Sequence, residues 1–440
     1  MRSLEPTSEF QLAPSRGTGA LHLAAGAAFR PLHALLTFPA LLFMATLMAM
    51  LFRPPDLHLL YLDRIALVLL IFIALLRILF LRVRLHAGLV TWPLLGLFLV
   101  ALASLLREPF EAENWSVFAA KWLVPFVLFQ IAAIAFDDPI WQRRFELFAL
   151  ILLGYLTVTA IFFLLGIKEL IFPPFILDEN LGIHADRARG PFLQAAANGV
   201  SLNLLGLIAL DSYRRRRLGG ALALLFALGL PVAILATKTR AVWLSFAASG
   251  AALMFSSSAR IRQACFFFLA AGGAGLFWVL IFQANSRALW DRLQERSPVE
   301  FRLSVYRAGW EMFRERPLLG WGAAQMQVQL TRRVTDFHQQ EFFFHNTYLE
   351  VAVQHGVFGL ALYLWIILDL FRLGLARRPA VAADGNFLDL QFRVLWPVLL
   401  GVYLLNACFV VMNYQFVNGL IFTLAGMLSA QNERGNHAIS

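Results

Sequence analysis

The sequence predicts an all-α polytopic membrane protein with about 12 transmembrane helices and one large, partly helical loop. Of its 440 residues, 60% are hydrophobic and only 15% are charged, whereas about a quarter of the residues of a soluble domain are charged. The apolar residues form long runs, and the basic residues form short clusters between those runs. Because about 20 apolar residues cross a bilayer as a helix, both features indicate a multi-pass protein.

The predicted spans are apolar runs with little or no interior charge. They are centred on residues 33–52, 61–81, 87–106, 117–136, 146–167, 192–210, 218–236, 241–256, 265–283, 346–371, 394–412 and 415–430. This pattern divides the chain into three parts. Helices 1 to 9 occupy residues 1–283, a large loop with an amphipathic helix occupies 284–345, and helices 10 to 12 with a cytoplasmic tail occupy 346–440.

Arginine clusters predict the orientation of the helices, because Lys and Arg mark cytoplasmic loops. With both termini placed in the cytoplasm, every inside loop is basic, including the run 214–217 and the pairs 143–144 and 260–262. The loop 284–345 then lies on the opposite, non-cytoplasmic face. This topology accounts for the net charge of +10, so no nucleic-acid partner is predicted.

The large loop contains a predicted amphipathic helix. Apolar residues recur at near-helical spacing with charged residues among them, at Phe301, Val305, Ala308 and Phe313. Pro317 is expected to end this helix, and Gly320 and Gly322 permit a tight turn after it.

Three polar elements map to the non-cytoplasmic face: R-A-R-G-P-F at 187–192, T-K-T-R at 237–240 and H-N-T-Y-L-E at 345–350. Their basic residues lie on the predicted non-cytoplasmic face, whereas the arginine clusters elsewhere lie in predicted cytoplasmic loops. Snorkelling of a side chain to the headgroups explains any single arginine at a membrane boundary. An anionic ligand explains the group together, because guanidinium binds phosphate through two parallel hydrogen bonds. The candidate ligands of this anion are Arg187, Arg189, Arg240 and Lys238.

His345 is the candidate catalytic residue. An imidazole with an ordinary pKa near 6.5 can accept a proton from a sugar hydroxyl at neutral pH. The alternative is a helix-capping or interfacial role. Asn346 and Glu350 follow about one turn apart, and they could orient an acceptor or only cap the helix.

Metal and nucleotide chemistry have little support in the sequence. Asp336, His338 and Glu341 lie near His345, but their spacing matches no established metal site. The chain contains no phosphate-binding G-x-x-x-x-G-K-[ST] loop and no G-x-S-x-G elbow. We therefore predict neither a metal nor another cofactor.

Four segments between about 185 and 365 resemble the O-antigen ligase and O-antigen polymerase superfamily of bacterial envelope glycosyltransferases. They are the R-x-x-G element at 187–190, Arg240 of T-K-T-R, the R-x-x-x-Y-R-x-x-W-E-M-F-R-E-R-P-L-L-G-W-G segment at 302–322, and H-N-T-Y-L-E-V-A-V-Q-H-G-V-F-G-L at 345–360. The last two, in this order and flanked by helices, are the most specific.

The resemblance implies a GT-C-like fold in the bacterial inner membrane, with a periplasmic loop covering a cavity. Such enzymes move a glycan from undecaprenyl pyrophosphate to an acceptor hydroxyl, without nucleotide or metal. By analogy, Arg187 or Arg189 and Arg240 hold the donor pyrophosphate, and His345 activates or orients the acceptor. Supporting roles are implied for Lys238, Asn346, Glu350, Tyr306 and Arg307. Relatives often show a Pro-Asn pair after the phenylalanine of G-P-F; this chain reads G-P-F-L-Q, which leaves the choice between Arg187 and Arg189 open.

Members of the superfamily differ in the acceptor to which they transfer the glycan. A ligase transfers the glycan to the lipid A core, whereas a polymerase joins glycan repeat units on the lipid carrier. A secondary transporter or lipid flippase is a different class, for which Arg77 and Lys121 are the obvious intramembrane candidates. A scaffold protein would leave the outside arginines and His345 unexplained.

Overall fold

The computed structural model describes residues 39–52, 61–81, 83, 87–256, 258–282, 297–334, 343–375 and 386–437. Within these ranges the chain is helical and forms no strand. The helices, numbered α1 to α14 in chain order, are Pro39–Leu51, Leu62–Leu81, Thr91–Leu105, Ala112–Ala135, Pro139–Leu165, Ala195–Arg214, Gly220–Ala236, Arg240–Leu253, Ala259–Phe282, Ser297–Glu315, Ala323–Arg333, Thr347–Leu375, Leu390–Ala407 and Gln415–His437.

Each of the predicted apolar runs overlaps one of these helices. In the described part of the chain, α4, α5, α6, α12 and α13 are long and apolar enough to cross a membrane, and α1, α3 and α7 are shorter apolar helices. The all-α class of a membrane protein is thereby confirmed. The count of about 12 spans and the side of each loop stay predictions, and residues 1–38, which include the predicted cytoplasmic N-terminus, lie outside the described ranges.

Helix α6 forms the centre of the bundle. Its apolar window is fully buried, and it packs against α5, α7, α8 and α13. Its polar residue Asn203 receives support from neighbouring helices: the Asn203 amide donates to Ser245 Oγ at 3.3 Å, and the Asn406 amide donates to the same oxygen at 2.9 Å. These buried polar groups are hydrogen-bonded to one another, which lowers the free-energy cost of placing them in the core.

The predicted amphipathic helix is present as α10, and it ends at Glu315, just before Pro317. Its apolar face packs against α11 in a second hydrophobic cluster that is separate from the core of the bundle; the buried members of this cluster are Val305, Ala308, Met312, Met326, Leu330, Val334, Phe344 and Val353. An ion pair between Arg333 and Glu315 at 2.7 Å also joins the two helices. We call residues 297–333 the α10–α11 unit.

The turn after α10 fixes this unit to α12. Helix α12 is interrupted at Gly356, whose φ of 66° and ψ of −164° are not helical. The freed backbone groups pair with the turn instead: Trp321 N donates to Val353 O at 2.9 Å, and Val357 N donates to Pro317 O at 2.7 Å. A Cβ on Gly356 would lie 2.1 Å from Leu318 O. The break in α12 therefore provides a docking point that sets the position of α10 over the start of α12.

Candidate functional site

The loop before α6 brings the first predicted element to the centre of the site. Arg187 is buried, and its Nη2 lies 3.1 Å from Nδ1 of His184. Its Nε lies 3.7 Å from the carboxylate of the exposed Asp186. Arg187 is therefore held by its own loop, with one guanidinium edge against a histidine.

Arg189 has different surroundings. It is 1% exposed, and its guanidinium donates to three backbone carbonyls of the preceding loop, those of Ile176 at 3.1 Å, Leu181 at 2.5 Å and Asp178. Burial lowers the pKa of this guanidinium, and the nearby Asp178 and Glu179 oppose the shift. These contacts make Arg189 the residue that holds the loop 176–181 together.

The second predicted element lies directly beside the first. Ala188 N donates to Ala236 O at 3.0 Å, and Lys238 Nζ donates to Asp186 O at 2.9 Å. Arg240 follows as the first residue of α8 and is partly exposed. A helix N-terminus carries partial positive charge and unpaired backbone N–H groups, so Arg240 lies where an anion is favoured.

His345 lies within electrostatic range of His184, in the loop that carries Arg187. Its pKa is lowered to about 4 because it is buried and because interactions with the cationic Arg302 and with the imidazole of His184 disfavour its protonated form. The ring of Phe301 packs edge-on at 6.2 Å between centroids. His345 is therefore a neutral imidazole at pH 7, close to the cationic Arg302.

Helix α10 and the start of α12 support this histidine. Tyr306 OH donates to the backbone carbonyl of His345 at 3.3 Å. Asn346 Oδ1 accepts from Leu349 N at 3.0 Å, so the asparagine caps α12. Arg307 is exposed on α10, and no described contact joins it to these residues.

Glu350 lies away from His345. It forms a buried ion pair with Lys121, a residue of the π-helical turn Ala119–Leu123 within α4. Both side chains are nearly inaccessible, with side-chain exposures of 9% and 3%. Glu350 thus connects α12 to α4, and the intramembrane Lys121, which could have indicated transport, has a structural partner.

Strained backbone collects at the same place. His184, Lys238 and His345 have φ values of 56°, 47° and 51°, a region that residues with a Cβ rarely adopt. Such conformations cost of order 1–3 kcal/mol each and persist only where surrounding contacts impose them. Three of them within one cluster indicate a site whose geometry is imposed by the fold.

The structure therefore joins Arg187, Lys238 and His345, with Arg240 following Lys238 in the chain, and gives Arg189, Glu350 and Asn346 structural contacts. It also adds His184 and Arg302, which the sequence analysis did not select. Arg302 lies four residues before Tyr306 and so shares its helix face, a spacing that could have revealed it. No sequence pattern singles out His184.

Chemically, the site combines fixed positive charge with a neutral imidazole. This arrangement can bind an anion and accept a hydrogen bond from a hydroxyl beside it. Among the described residues no group of three His, Cys, Asp or Glu side chains could hold a metal ion. The metal candidates Asp336, His338 and Glu341 lie outside the described ranges.

Two comparisons with known proteins bear on this geometry. A search of curated proteins found no match. A family model described as O-antigen ligase matches residues 221–364. The matched range contains Arg240, Arg302, Tyr306 and His345, whereas Arg187 precedes it. The resemblance of the sequence is thus confirmed by an independent match: residues 221–364 are similar to the O-antigen ligase family, which supports the O-antigen ligase and polymerase superfamily.

Proposed function

We propose that this protein is a membrane glycosyltransferase of the inner membrane that moves an O-antigen-type glycan from undecaprenyl pyrophosphate to a hydroxyl of the lipid A core. The site would face the periplasm. One observation supports the proposal: the loop 184–189 contacts residues 236–238, and His184 of the same loop interacts electrostatically with His345.

The cations suit the donor. When the bond between the anomeric carbon and the phosphate oxygen breaks, negative charge grows on the departing undecaprenyl pyrophosphate. Arg187, Lys238 and Arg240 would hold this pyrophosphate, and the N-terminus of α8 adds partial positive charge. Groups fixed by the fold before the reaction stabilise the growing charge without reorganising. Arg302, beside His345, extends the positive region toward the acceptor.

His345 suits the acceptor. In the absence of substrate its low pKa keeps it neutral, so it can accept a hydrogen bond from a sugar hydroxyl at neutral pH. Binding of an anionic donor would offset the charge of Arg302, and the pKa of His345 would rise. The imidazole would then take the hydroxyl proton as the acceptor oxygen attacks the anomeric carbon. In this proposal, the basicity of His345 increases only when the donor is bound.

Arg189 has a positioning role in this proposal. Its three carbonyl contacts hold the loop that presents Arg187, so Arg187 is the pyrophosphate ligand and Arg189 supports it. The proposal favours Arg187, a choice that the sequence leaves open, because an arginine that donates to three carbonyls has few donors left for a ligand.

Deletion of the gene followed by analysis of envelope glycans tests the function. Full-length glycan left on its carrier, with a bare lipid A core, is the expected result. Single repeat units on the core would identify a polymerase, in which the same donor chemistry serves a glycan acceptor. Unchanged glycans would refute both.

Point variants test the site. We expect His345→Ala to abolish glycan transfer, while Phe343→Ala, an exposed neighbour, transfers normally. Arg240→Lys keeps the charge but removes the two-pronged contact, so a loss of activity of about 10²-fold or more is expected. Arg314→Lys, an exposed arginine of α10, is the matched control. Normal transfer by the Arg240 variant would indicate snorkelling.

A further inference from the structure

A basic cavity lies at the opposite end of α6 from the candidate site. It has a volume of about 160 Å³ and is bounded by the start of α5, the residues after α6 and the segment before α13. Its arginines are Arg143, Arg215 and Arg217, and Glu146 is the acidic residue that lines it. Helix α6 has 20 residues, so at 1.5 Å per residue about 30 Å separate this cavity from the loop 184–189. The two sites are therefore independent.

Three acidic groups in and near the cavity wall are paired with the adjacent arginines Arg214 and Arg215. Glu146 pairs with Arg215 at 2.5 Å and also accepts from the hydroxyl of Ser212. Asp211 pairs with Arg215 at 2.8 Å and with Arg214 at 2.7 Å. Arg214 in turn pairs with Asp389 at 2.6 Å, on the segment before α13. These ion pairs hold the cavity wall in place and occupy its carboxylates. Arg143 and Arg217 are exposed at the rim.

The cavity is lined by apolar as well as basic residues, so it suits a phospholipid better than a soluble anion. Pro139, Ile140 and Phe387 line the cavity together with the arginines. Ile140 is 59% exposed, and the ring of Phe387 is buried beneath the guanidinium of Arg215 at 5.6 Å. A free anion would gain nothing from the exposed Pro139 and Ile140, whereas the glycerol and first methylenes of a phospholipid would cover them.

We propose that this cavity binds the phosphate of an anionic phospholipid headgroup through Arg143 and Arg217 at the rim, while Arg215, held by Glu146 and Asp211, forms the wall. The cavity lies at the ends of helices on the predicted cytoplasmic face, where headgroup phosphates are found. Basic pockets between transmembrane helices on that face are known to bind anionic headgroups. The site depends on neither the glycan donor nor its acceptor, so it is tested separately from glycan transfer.

The test measures lipid binding to the purified full-length chain in detergent, by native mass spectrometry and thermal unfolding, with phosphatidylglycerol, phosphatidylcholine and inorganic phosphate as probes. We expect phosphatidylglycerol to bind and to raise Tm, and the other two to do neither. The double variant R143Q/R217Q should bind phosphatidylglycerol about 30-fold more weakly, the change expected for the loss of two surface arginines.

The control is R144Q, because Arg144 is an exposed neighbour that stacks on Trp141 at 4.3 Å and does not line the cavity. It should bind phosphatidylglycerol like the unchanged chain. Equal weakening in R144Q would show that general surface charge attracts the lipid and would overturn the proposal. Inorganic phosphate matching phosphatidylglycerol at equal concentration would also overturn it. Tm of R143Q/R217Q without added lipid shows whether the variant is folded; unchanged phosphatidylglycerol affinity in a folded variant would refute the site.

Discussion

Replacing Arg189 with lysine tests the proposal that Arg189 supports the loop and Arg187 binds the pyrophosphate. The guanidinium of Arg189 donates to the carbonyls of Ile176, Leu181 and Asp178. A single ammonium cannot reach all three positions, so Arg189→Lys should lose at least two charge-assisted hydrogen bonds. At about 1.5–3 kcal/mol each, the folded state loses on the order of 3–6 kcal/mol. This is a large share of the roughly 5–15 kcal/mol that typically stabilises a folded domain.

Arg187→Lys is the matched comparison, since it removes a guanidinium from the same loop. We expect its Tm to stay close to that of the unchanged chain and its transfer rate to fall by about 10²-fold or more, because one preorganised contact to the leaving pyrophosphate is lost. Arg189→Lys should instead lower Tm by several degrees and reduce the amount of folded protein. The assays are thermal unfolding in detergent and transfer from a lipid-linked glycan in membranes. An Arg189→Lys chain with unchanged Tm and no transfer would refute this division of roles.

Three further predictions concern neighbouring features. Glu350→Gln leaves the buried Lys121 without its partner and should destabilise the fold by about 3–5 kcal/mol. The double variant K121M/E350Q should recover part of this loss. Equal Tm values for the two variants would exclude the ion pair as the cause. Gly356→Ala places a Cβ 2.1 Å from Leu318 O at a positive φ, so it should lower Tm, unlike Gly401→Ala, which meets nothing within 4 Å. His345 has a pKa of about 4, so its neutral form predominates throughout pH 5–8. We therefore expect kcat/KM not to decline as the pH is lowered through 6.5. Such a decline would indicate a histidine with an ordinary pKa.

Much of the helical architecture could be predicted from the sequence, because hydropathy is a local property. Each apolar run overlaps a helix, and the alternation of apolar and charged residues over 301–313 correctly predicted α10. Pro317, Gly320 and Gly322 correctly marked its end, and both glycines have positive φ. The family resemblance also depended on contiguous residues, and the match over residues 221–364 confirms it.

The site could be predicted only in outline. The sequence selected Arg187, Lys238, Arg240 and His345 by their placement on one predicted face. It could not distinguish Arg187 from Arg189, because two arginines separated by one residue differ only in which loop carbonyls they meet after folding. It also grouped Glu350 with His345, although the structure pairs Glu350 with a lysine of another helix.

The sequence by itself determined that this is a helical membrane protein with basic groups and a histidine in elements of the O-antigen ligase type. Helix formation depends on residues a few positions apart, and their chemistry can be read directly along the chain. Only the tertiary structure decided which charges meet. Lys121 and Glu350 are 229 residues apart in sequence. His345 acquires its low pKa from burial and from Arg302 and His184, which lie on a helix and a loop elsewhere in the chain. Burial and charge depend on such distant neighbours, which exist only after the helices have packed.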